Sequence, residues 1–171
     1  MKEDGNLIKI GNGYQADSVF VYSSKIDCSG ETASDTLHLA KQWCSMRISF
    51  NQAEDWKVTE CLLTGAWNGF DITTLAATKG NFSFEAEALQ KDSFGARIPR
   101  QGDDSLVLTV FYGDEHLQRE YPIGEFIKKA GYNWMKKELD DLVILIDRAE
   151  IKVVITVPQW DKGTDYGDVE I

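Results

Sequence analysis

Leu142-Val143-Ile144-Leu145-Ile146 and Ile151-Lys152-Val153-Val154-Ile155-Thr156-Val157 are two apolar, largely β-branched runs, separated by Asp147-Arg148-Ala149-Glu150. β-Branched side chains are stiff at χ1 and pack well on a pleated surface, so the two runs read as strands of a hairpin. Pro158, which cannot donate to a sheet ladder, and Trp160 close it. The chain's longest unbroken apolar run is Leu142–Ile146. A membrane-spanning helix needs about 20 apolar residues, so the pattern is that of short strands.

The same texture extends upstream. Phe82, Phe84, Ala86 and Ala88 alternate with Ser83, Glu85 and Glu87, and Cys44, Met46, Ile48 and Phe50 alternate with Ser45, Arg47 and Ser49. A period of two marks a strand with one buried and one wet face. Further strands are expected at Val19–Tyr22, from Leu37 to Phe50, at Cys61–Trp67 ending on the turn dipeptide Asn68-Gly69, at Phe94–Ile98 and at Ser105–Tyr112. One helix interrupts them over Gly124–Ala130: Glu125 stands in its first turn, Lys128 and Lys129 in its last, and Gly131 just beyond. That order suits the helix dipole and a glycine C-cap. Two turns are marginal alone, so the helix must dock on the sheets. The reading is an all-β sandwich of about seven strands, with residues 1–16 as a tail or linker and 17–171 as a single domain.

Composition sets further bounds. Hydrophobic residues make up 43% and charged residues 27% of 171, ordinary globular usage, and a chain of this length needs no metal or disulfide to hold a core. The formal net charge is −10, and the basic cluster Lys128, Lys129, Lys136 and Lys137 is ringed by Glu125, Glu138, Asp140 and Asp141. Such a surface repels nucleic acid. Cys28, Cys44 and Cys61 form no C-x-x-C pair, and only His38 and His116 stand ready to help them ligate a metal. Buried free thiols are the simpler reading, with one disulfide left open. No cofactor is expected.

Catalysis leaves spacing signatures, and none is present: no G-x-S-x-G, no H-E-x-x-H and no glycine-rich phosphate loop. Ser105 beside Asp103 and Asp104 lacks a histidine to take its proton and reads as a turn. The carboxylate pairs Asp103/Asp104, Asp140/Asp141 and Glu85/Glu87 are sequence neighbours, which says nothing about a shared cleft. Asp161, Asp165 and Asp168 do not follow the calcium-loop pattern. The chain is expected not to be an enzyme. Trp43, Trp56, Trp67, Trp134 and Trp160 are expected mainly to anchor the core.

Several segments, taken in order, resemble one family. They are Asp27-Cys28-Ser29-Gly30-Glu31-Thr32 and Arg97-Ile98-Pro99-Arg100-Gln101-Gly102-Asp103-Asp104-Ser105-Leu106. More specific are Tyr121-Pro122-Ile123-Gly124-Glu125-Phe126-Ile127, Ala130-Gly131-Tyr132-Asn133-Trp134, Leu139-Asp140-Asp141-Leu142, and Ile146-Asp147 with Ile155-Thr156-Val157 and Trp160. Together they resemble the C-terminal half of the FimB-like fimbrial anchor lipoproteins of Bacteroidales. The resemblance implies a transthyretin-like, Greek-key sandwich, the C-terminal domain of a larger two-domain lipoprotein. It implies tethering to the outer membrane at the cell surface, through a lipid anchor on a part missing from this sequence. The partners it implies are fimbrial subunit proteins, whose fibre such an anchor holds and limits in length. It departs from the family at Cys28, which Lys25-Ile26-Asp27 precede in place of a lipoprotein cleavage site. No catalytic motif carries over.

Subunits of this general kind join by strand addition, where backbone hydrogen bonds supply affinity and alternate side chains fill pockets. Ile151, Val153, Ile155 and Val157 are therefore the candidate partner interface; the competing reading makes their strand an ordinary central one. The alternative function is a surface carbohydrate-binding module, which requires two or three tryptophans exposed in a line.

Overall fold

The structure is a computed structural model that describes residues 2–22, 29, 39–51, 57–113, 117–147 and 151–156. Two sheets pack face to face. The first runs β1 (Lys2–Asp4), β2 (Leu7–Lys9), β6 (Val58–Asp71), β10 (Val107–Tyr112) and β11 (Leu117–Tyr121), with β7 (Ala77–Glu85) also paired to β6. The second runs β13 (Ile151–Thr156), β12 (Asp141–Asp147), β5 (Trp43–Asn51), β9 (Ser93–Pro99) and β8 (Glu87–Gln90). A two-strand ribbon joins β3 (Phe20–Val21) to β4 (Ala40–Lys41). The all-β sandwich is what the alternation implies, and its core is one continuous cluster drawn from both sheets, including Met46, Ile48, Leu63, Ile98, Leu108 and Ile144. Each such side chain contributes roughly 2 kcal/mol by leaving water, more than any surface contact in the molecule.

The hairpin that decides the fold forms as read: β12 and β13 pair antiparallel, with Leu142 opposite Ile155, Ile144 opposite Val153 and Ile146 opposite Ile151. β12 also pairs with β5, in parallel, setting Leu142, Ile144 and Ile146 beside Met46, Ile48 and Phe50. The helix α1 spans Ile123–Lys129 and buries Ile123, Gly124 and Ile127. Gly131, at φ +79°, comes just after it and donates to the Lys128 carbonyl at 3.0 Å. Ala130, the C-cap, is exposed.

Three sequence expectations are corrected, and one strand, β11, has no counterpart in the sequence reading. Residues 2–16 are no tail: β1 and β2 add to β6, and Ile10 and Ala16 enter the core. These strands are three residues each and held by backbone pairing, so they leave no apolar periodicity to read. β6 does not turn at Asn68-Gly69 but continues to Asp71. An added Cβ on Gly69 would lie 2.0 Å from the Ile8 carbonyl oxygen, so the glycine is there to admit the neighbouring strand. The turn comes later, where the Asp71 carboxylate accepts from the Thr73 and Thr74 N–H groups at 2.8 Å each. The run Phe82–Ala88 is two strands: β7 ends at Glu85 in the first sheet, buried Ala86 crosses over, and β8 begins at Glu87 in the second. The apolar–polar alternation of the sequence runs on through Ala88 although Ala88 is exposed, so the pattern hides the break. Finally, β11 is a strand in which all but Tyr121 are exposed, and it carries no alternation.

Candidate functional site

The candidate interface residues Ile151, Val153 and Ile155 all fall on β13, and Val157 lies outside the described residues. Among the described residues β13 pairs with β12 alone and therefore stands at the end of its sheet. Its register sets Ile151, Val153 and Ile155 across from the buried row Ile146, Ile144 and Leu142, while Lys152, across from Leu145, is exposed. α1 lies against both β13 and β10.

An edge strand presents unpaired backbone groups, and proteins blunt such edges with charge, shortness or a covering segment. Among the described residues the other sheet ends are treated in that way. β7 is crossed by the segment after β2: Gly13 donates to the Ser83 carbonyl at 2.8 Å, and the Asn12 side chain accepts from the Ser83 N–H at 3.1 Å. That segment then reaches β9, where Ala16 donates to the Arg97 carbonyl and Gln15 Oε1 accepts from the Arg97 N–H, both at 2.8 Å. β1 is the charged tripeptide Lys2-Glu3-Asp4, β8 is four exposed residues opening on Glu87, and β11 carries Gln118-Arg119-Glu120. β13, with the sequence Ile-Lys-Val-Val-Ile-Thr, has one charge and four β-branched aliphatic residues. Among the described sheet ends it is the richest in β-branched residues.

The approach to β12 is fixed by a buried polar clasp. Arg100, 1% exposed, donates from Nη1 to the Trp134 carbonyl and from Nη2 to Gln42 Oε1 at 2.8 Å. Gln42 Nε2 in turn donates to the Lys137 carbonyl at 2.9 Å. Tyr132 Oη donates to the Asp140 carbonyl at 2.6 Å, and the Leu139 N–H to the Lys41 carbonyl at 3.2 Å. Buried Lys41 pairs with Asp141, whose carboxylate also accepts from the Ser45 N–H at 2.8 Å. Two of the segments that carry the family resemblance, around Arg100 and around Trp134, thus meet here. Their shared job is to hold an irregular connection, since buried carbonyls left unpaired cost about 1–3 kcal/mol each.

The residues weighed for chemistry are placed apart. Asp103 accepts from the Ser105 N–H at 3.0 Å, the turn that was expected. The neighbouring Ser105 and Trp67 side chains, chiefly, hold its carboxyl below the usual carboxylate range. Asp104 is paired with Lys128 at 2.8 Å, and Asp140 with Lys136 at 2.5 Å. Glu85 and Glu87 stand in different sheets. Among the described residues no group of three metal-ligating side chains gathers, and no helix is long and apolar enough to cross a membrane. Cys44 and Cys61 are buried free thiols. Burial pushes the Cys44 thiol up to about 12, and burial followed by the charges of Glu60 and Glu85 pushes Cys61 higher still. Trp43 is buried, and Trp67 and Trp134 are half-buried, so these three make no exposed row. Cys28, His38, Trp56, His116, Trp160 and the aspartates of 161–168 lie outside the described residues.

No family model matches the chain, and no curated protein matches it. Among solved structures it is similar to the fimbrial anchor protein Mfa2 from Porphyromonas gingivalis, with a TM-score of 0.47 and 11% identity over 85% of this chain and 56% of that one. It is also similar to a candidate cell adhesion protein from Bacteroides uniformis, with a TM-score of 0.47 and 12% identity over 73% of this chain and 53% of that one. A candidate adhesin from Bacteroides thetaiotaomicron gives a TM-score of 0.46 and 13% identity over 70% and 52%. The chain spans about half the length of these structures.

Proposed function

We propose that this chain works at the cell surface as a non-enzymatic subunit of an adhesive, fimbrial assembly, anchoring a fibre to the outer membrane and limiting its length through protein–protein contacts. The observation that carries the reading is the β-branched composition of β13 at the end of its sheet, against the charged or crossed strands at the other sheet ends among the described residues. A strand of Ile-Lys-Val-Val-Ile-Thr at a sheet end is an aggregation hazard unless something pairs with it. In the proposed assembly an extended segment of a fimbrial subunit adds to β13, its backbone completing the ladder. The order of the segments shared with FimB-like anchors supports the fimbrial assignment. The membrane tether in this reading is a lipid on a part of the protein beyond this sequence.

The test is Val154→Lys in the whole protein on cells. Val154 stands opposite Val143 in the register, between the positions opposite the buried Ile144 and Leu142, so a lysine there adds a second charge to the strand. The variant is expected to keep its unfolding midpoint while fibres are released into the medium. Fibres retained by a folded variant would overturn the placement of the contact at β13.

A further inference from the structure

We draw no further inference here: the strongest candidate outside the β13 edge, the cluster of buried side-chain polar atoms around Trp67, Thr78 and Gln101 where β6, β7 and the loop after β9 meet, carries nothing because these atoms are closed to solvent and nothing in the structure shows what would reach them.

Discussion

Arg100 Nη1 donates to the backbone carbonyl of Trp134, 34 residues away, from a guanidinium that no carboxylate among its hydrogen-bond partners neutralises. Its Nη2 bonds Gln42 and, at 3.4 Å, the Lys137 carbonyl. A buried cation surrounded only by amide and carbonyl dipoles is kept for the fork shape of its donors, which can hold several carbonyls at fixed angles.

Arg100→Lys should therefore fail as a conservative change. An ammonium keeps the charge but loses the planar fork, leaving at least one of the Trp134 and Lys137 carbonyls without its Arg100 donor. The expected loss is about 3 kcal/mol, read as a lowered urea midpoint with an unchanged m-value. A variant within about 0.5 kcal/mol of wild type would show that the connection holds itself.

Gly69→Ala tests how the first sheet accepts its N-terminal strands. The new methyl would meet the backbone of Ile8 and Lys9, which cannot swing away as a side chain can. β1 and β2 should detach, giving amide-exchange rates for residues 7–9 at least tenfold faster and a stability loss of about 2 kcal/mol. Retained protection of the Ile8 amide would contradict the close approach.

The buried thiols predict a pH dependence. Cys44 stays protonated in the fold until about pH 12, and Cys61 is raised in the same direction, each chiefly by burial. Unfolded thiols release their protons near 8.5. Below that pH both states hold the proton and the contribution to stability is whole; as pH rises towards 12 the unfolded chain alone ionises, and stability falls. Urea midpoints at pH 7, 9 and 10.5 should decline in that order, and less steeply in Cys44→Ala than in wild type. In a Cys28→Ser background, thiol reagents should label the native protein only at its opening rate; fast native labelling would contradict the burial of both groups.

Removing residues 158–171 isolates β13 from the C-terminal segment. β13 is held by its full antiparallel register with β12, which ends at Thr156, so the shortened chain should fold with the same near-ultraviolet spectrum and a midpoint within about 1 kcal/mol. A collapse of the native state on truncation would mean that β13 depends on the C-terminal segment.

The sequence by itself determined the class of fold. Alternation at Cys44–Phe50 and the β-branched runs at 142–146 and 151–157 encode strands locally, because side chains on a pleat must alternate and stiff residues fit it. The helix was legible for the same reason: its dipole-matched charges and the glycine after it act within a few residues. Only the tertiary structure decided which strands are neighbours. That Ala86 changes sheets depends on partners in two different sheets, and that Gly69 sits inside a strand and residues 2–16 seal two edges depends on partners roughly 60 to 80 residues away, as the bonds of Asn12 and Gln15 to Ser83 and Arg97 illustrate. The candidate site divides in the same way. Its apolar character was written in Ile151–Thr156, but being an edge is a property of what stands beside a strand, and no run of residues encodes its own neighbour.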